Sequence, residues 1–83
     1  MNAPFSRSGK KSDPSTEIEA IAQAVRAARL SHELTQTQLA GLSGTGLRFI
    51  SELERGKPSV AMNKVVAVLA VLGLRLIVSA ESS

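Results

Sequence analysis

The sequence predicts an all-α bundle of four to five helices followed by one short C-terminal β-strand. Three observations lead there. Apolar residues recur at three- and four-residue steps through four separate stretches, the spacing that gathers them on one side of a helix. Two of those stretches open on a threonine with Glu or Gln three residues later, a box that satisfies free amides at a helix N-terminus. The final apolar run, Leu74-Arg75-Leu76-Ile77-Val78, directly follows Gly73 and is short and β-type in composition.

Residues 1–15 mix Ser, Pro, Gly and Lys around Met1 and Phe5, and read as a flexible tail. A basic arm that touches DNA phosphates is the other reading of this stretch. The helical domain then covers 16–73, the strand 74–78 and a short tail 79–83. The first helix is expected to start at Ser15 or Thr16, where Thr16-x-x-Glu19 forms a box. Ile18, Ile21, Ala22, Val25 and Ala28 supply its buried stripe, while Gln23, Arg26 and Arg29 point elsewhere. It ends near Leu30 or Ser31. The second helix opens on the box Thr35-x-x-Gln38, buries Leu39, Ala40 and Leu42, and stops at Leu42 or Ser43.

Gly44-Thr45-Gly46 makes the next turn, since glycine reaches the positive φ angles of a sharp reversal. The third helix starts at Gly46 or Leu47, carries Leu47, Ile50 and Leu53 inward, and closes at Gly56 as a left-handed cap. The fourth runs from Val60 or Ala61 to Leu72. Met62, Val65, Val66, Leu69 and Leu72 form its apolar face, widened by Val68 and Val71. Nothing else in the chain reads as a strand, so the 74–78 run has no internal mate. Pairing with a second copy about a twofold axis satisfies its backbone; a tail packed on the helices is the alternative.

Composition narrows the function. Ten Lys and Arg against seven Asp and Glu give +3, which favours a polyanionic partner. The absence of cysteine and the single histidine argue against disulfide scaffolds, metal sites and thiol or His-centred catalysis. Two Phe with no Tyr or Trp argue against single-strand stacking platforms. Asp13, Glu17 and Glu19 crowd the first helix turn, where negative charge suits the dipole rather than chemistry, and His32 reads as solvent-exposed. No enzyme activity and no cofactor are expected. The longest apolar stretch, Val65–Val78, is interrupted by Gly73 and Arg75 and falls short of the roughly 20 residues of a membrane span, so a cytoplasmic location is expected. A chain this short buries only about 60% of its unfolded surface, and a second copy is the natural remedy.

Two short helices joined by a glycine-bearing turn describe a helix-turn-helix, sized for the major groove of duplex DNA. Leu34-Thr35-Gln36-Thr37-Gln38-Leu39-Ala40, then Gly44, then Ile50-Ser51-Glu52-Leu53-Glu54-Arg55-Gly56-Lys57, resemble the Xre, or Cro/cI-type, helix-turn-helix family. The resemblance covers roughly 18–73 and implies a phage-repressor-like fold. With the Leu74–Val78 run, the chain is most similar to HipB-type antitoxins of type II toxin–antitoxin operons. That likeness implies a homodimer joined partly by its C-terminal strands (Leu74, Leu76, Ile77 and Val78), repression of its own operon, and binding of a HipA-type kinase toxin.

The resemblance also implies roles for single residues. Gln36, with Thr35 beside it, falls on the phosphate-contacting position at the start of the second helix. Gly46, Leu47 and Arg48, with Ser51 and Glu52 one turn later, fall on base-reading positions of the third. Arg48 is the first choice, because a guanidinium forks onto guanine O6 and N7. Arg55 and Lys57 read either as phosphate contacts or as solvated charge. Leu47 reads as a thymine-methyl contact or as core, and Phe49 as packing on the second helix or touching a sugar. Glu54 with Arg55 is expected to brace the fold.

The expected function is sequence-specific repression at a near-palindromic double-stranded operator. A stand-alone or phage-derived regulator without a toxin is one alternative. A protein-interaction module that has lost DNA binding is the other, with Leu47 and Phe49 as its support.

Overall fold

The structure, a computed structural model, describes residues 14–58 and 61–80. The expectations for a tail before residue 14, for a final tail past residue 80 and for a helix start at Val60 lie outside the described residues. Four helices follow in order: α1 (Pro14–Ser31), α2 (Gln36–Ser43), α3 (Leu47–Glu54) and α4 (Met62–Val71). α2 packs on both α3 and α4, and α1 packs on α3. The core between them is aliphatic: Val25 from α1, Leu39 from α2, Ile50 and Leu53 from α3, Val65, Val68 and Leu69 from α4.

All four helices stop in the same way. Just past each helix, one amide reaches back five positions: Leu34 to the Arg29 carbonyl (3.0 Å), Thr45 to Ala40 (3.0 Å), Lys57 to Glu52 (3.0 Å) and Leu74 to Leu69 (2.8 Å). This closure places the preceding residue in the left-handed region. Gly44, Gly56 and Gly73 take it at φ of 70°, 77° and 74°. At the end of α1 the same place is held by Glu33 at φ 58°, where a Cβ crowds the following carbonyl.

Several expectations need correction. α1 begins at Pro14, not at Ser15 or Thr16, so Thr16 lies within the first turn and does not cap it. Proline suits a first turn, because its missing N–H has no helical partner there. Leu42 and Leu47 are exposed, as are Met62 and Val66 of α4. Eight-residue helices in a small bundle cover a narrower stripe than their apolar residues could fill. Arg29, expected to face outward, is buried with 7% of its surface exposed.

The segment 74–80 carries no regular secondary structure. Leu74 turns inward and packs against the core, whereas Ile77 and Val78 are 80% and 90% exposed. Leu69, Leu74 and Leu76 line a shallow groove of about 260 Å³ with Ile21 and Ala24 of α1.

Candidate nucleic-acid interface

The N-terminus of α2 is built by the sequence box at Thr35. The Gln38 amide donates to Thr35 Oγ1 (3.0 Å), and the Thr35 amide donates to Gln38 Oε1 (2.8 Å). Thr35 is thereby a helix cap whose hydroxyl oxygen is already occupied. Gln36 starts the helix, and its side-chain Nε2 donates to Glu54 Oε1 at 3.1 Å.

Glu54 is the centre of a network joining three helices. Arg29 of α1 grips its carboxylate with two donors, Nε to Oε2 at 2.6 Å and Nη2 to Oε1 at 3.0 Å. Arg29 Nη1 also donates to the Leu34 carbonyl at 2.8 Å. Both charged side chains are nearly covered, with 9% and 3% exposed. The hydrogen bonds that Arg29 donates to Glu54 raise the Arg29 pKa against the opposing effect of burial. Such a forked pair fixes geometry as well as charge, and here it sets the start of α2 against the end of α3.

The turn is equally determined. Ser43 Oγ donates to the Leu39 carbonyl at 2.8 Å and lies 2.9 Å from Thr45 Oγ1. Gly46, extended at φ −106°, opens α3 without a side-chain cap. Ile50 and Leu53 then face the core, which turns Leu47, Arg48, Ser51, Glu52 and Arg55 away from it at helical spacing.

A short helix held at a fixed angle by its predecessor, with an uncovered polar side, is the arrangement that enters a major groove. The family model for helix-turn-helix proteins matches residues 25–78, which takes in α2, the turn and α3. The chain belongs to the helix-turn-helix family. It is also 49% identical over 53 residues to y4mF of Sinorhizobium fredii (strain NBRC 101917 / NGR234), an uncharacterized HTH-type transcriptional regulator. That alignment covers 64% of this chain and 70% of the relative.

On the outer side of the helix-turn-helix the charges are paired with one another. Arg48 Nε donates to Glu52 Oε2 at 3.2 Å, and Lys57 Nζ donates to the same oxygen at 3.2 Å. The hydrogen bond from Lys57, then that from Arg48, holds the Glu52 carboxyl below the usual carboxylate range. Arg55 Nη1 donates to Ser51 Oγ at 3.4 Å. Gly46, Leu47, Arg48, Ser51, Glu52, Arg55 and Lys57 are thus gathered on and beside α3, and Gln36 adjoins them through Glu54. Glu54 does brace the fold, but through Arg29 and Gln36 rather than Arg55.

Phe49 is half-buried and packs against the core, with Lys64 Nζ 5.7 Å from its ring centroid. Leu47 is exposed at the entry of α3, so its reading as core fails. His32 is exposed, yet its Nε2 lies 3.3 Å from the Leu72 carbonyl and ties the α1–α2 loop to the end of α4.

Sequence reasoning missed Arg29 and Lys64. A signal for Arg29 was present, because Ala22, Val25 and Arg29 share one helical stripe. The other half of the signal, Glu54, lies 25 positions away. Among the described residues no helix is long and apolar enough to cross a membrane.

Proposed function

We propose that this chain is a sequence-specific, double-stranded-DNA-binding transcriptional repressor that acts as a homodimer without catalytic activity. The observation that carries this reading is the uncovered side of α3, where Arg48 stands in solvent while Ile50 and Leu53 anchor the helix from behind. Arg48 reads a guanine, while Leu47, Ser51 and the Gly46 backbone meet neighbouring base edges. Gln36, Arg55 and Lys57 contact phosphates. Thr35 serves this interface as a cap that presents the α2 amides.

Two copies pair through 74–78, with Leu76, Ile77 and Val78 supplying the uncovered apolar surface. A twofold dimer then requires a near-palindromic operator, with half-sites about 34 Å apart or a multiple of it. Within this reading the chain is the antitoxin of a HipA-type operon, supported by a helix-turn-helix domain whose last helix, α4, leads through Gly73 straight into the 74–78 run. A stand-alone regulator is the second reading, favoured by the relative whose name is that of a transcriptional regulator alone.

Gel-shift titration against a duplex selected from a random pool tests the core of the proposal. Arg48→Ala is expected to lose about 1–3 kcal/mol at one base position. The wild-type affinity should fall with salt, with a slope near −0.9 per phosphate contact. An affinity unchanged by Arg48→Ala removes that residue from the interface. Co-purification with the product of the adjacent gene separates the antitoxin from the stand-alone regulator.

A further inference from the structure

Glu52 is out of place on a surface that approaches phosphates. A carboxylate facing the groove meets the N7 and O6 acceptors of guanine and repels them; only an amino group such as cytosine N4 would welcome it. The geometry around Glu52 resolves the conflict. Its side chain is 17% exposed, against 89% for Arg48 one turn earlier. The cations on either side meet on a single oxygen: Arg48 Nε and Lys57 Nζ are both 3.2 Å from Oε2. Lys57, from beyond the end of α3, fixes the carboxylate, and the carboxylate in turn fixes the base of the guanidinium.

We propose that Glu52 is the positioning residue for Arg48, holding its Nε so that the two terminal nitrogens are presented together to a guanine, and is not itself a base contact. This inference rests on the DNA-binding reading above. An arginine carries five N–H donors in a rigid plane. The bond to Glu52 uses the single donor on Nε and leaves four on the terminal nitrogens, the pair that matches O6 and N7. A long, exposed side chain otherwise loses much rotamer freedom when it binds. The contact with Glu52 restricts that freedom before DNA arrives. It also places one negative charge among Arg48, Arg55 and Lys57, which weakens attraction to phosphates of any sequence. Glu52 therefore exchanges general affinity for discrimination.

The test uses the full chain and the duplex that the wild type selects from a random pool, with each base pair then substituted in turn. Arg48→Ala identifies the base pair that Arg48 reads. Glu52→Ala is expected to flatten preference at that same base pair by about tenfold, while binding to random duplex at low salt becomes tighter. The Arg48→Ala/Glu52→Ala double variant should lose no more preference than Arg48→Ala alone, because both remove one coupled unit. Glu52→Gln keeps an acceptor oxygen and should restore part of the preference. Exposed ion pairs contribute little to folding, and matching circular dichroism spectra verify that the variants are folded. Loss of preference at a different base pair would show Glu52 reading a base directly and overturn the proposal, as would an unchanged profile. Failure of the wild type to select any sequence would overturn the DNA-binding reading, and this inference with it.

Discussion

The outer side of α3 and the segment 74–80 are both open to water, but their chemistry is opposite. On and beside α3, Leu47 apart, the outward groups are polar or charged and bonded to one another, as in Arg48–Glu52–Lys57, and the helix beneath is fixed by the Arg29–Glu54–Gln36 network. Past Gly73, the exposed groups include the large apolar side chains of Leu76, Ile77 and Val78, while Leu74 turns inward against the core. A polar face of the first kind is stable in water and can exchange its internal partners for phosphates and bases. An apolar run of the second kind keeps an unfavourable contact with solvent until something covers it. Within the described residues, one region is finished and the other is left open.

The largest expected effect comes from the finished region. Glu54→Ala leaves the Arg29 guanidinium buried without its counter-charge, and should cost about 3–5 kcal/mol, read as a lowered thermal midpoint by circular dichroism. A loss below about 1 kcal/mol would mean that the network does not hold α1, α2 and α3 together. In the unfinished region, Ile77→Lys with Val78→Lys should change the stability of the isolated chain by less than about 0.5 kcal/mol. The same double variant should weaken self-association at least about tenfold, as seen by sedimentation. Self-association that persists undiminished would contradict pairing through 74–78.

A smaller effect is expected at Glu33, the left-handed cap without a glycine. Glu33→Gly should stabilise the chain by about 0.5–1 kcal/mol, the relief of the Cβ clash less the extra entropy of glycine. The smallest concerns Glu52, whose carboxyl titrates below its ordinary range. Its contribution is therefore present at and above the usual carboxylate range, and is lost as pH falls through the lowered value. Carbon-detected NMR titration of the Glu52 carboxyl should place its midpoint below the ordinary carboxylate range; a midpoint inside that range would contradict the pairing.

The contrast between the regions also explains what was readable beforehand. Helix-period spacing located all four helices, and the Thr35 box and the Gly44, Gly56 and Gly73 stops were local enough to read directly. Those signals depend on residues within five positions of each other. The Arg29–Glu54 pair depends on residues 25 apart, so its partners look like two ordinary surface charges in a linear reading. The exposure of Leu42, Met62 and Val66 was also illegible, because periodicity marks which residues can be buried and not how much neighbour exists to bury them. Glu33 shows the same limit in the backbone: the cap geometry recurs four times, while only three of its positions carry the glycine that announces it. For the interface, the sequence placed the candidate residues on α3, but the mutual pairing of Arg48, Glu52 and Lys57 emerged only from their side-chain geometry.

The central claim is that α3 meets DNA while 74–80 serves another surface. Amide chemical-shift mapping of the full chain, with a selected duplex added stepwise, tests it most directly. The account predicts large shifts at Thr35–Gln38, Gly46–Arg48, Ser51–Glu52 and Arg55–Lys57, with Val66 and Leu76–Val78 unmoved. Shifts concentrated at Leu76–Val78 with a silent α3 would contradict it.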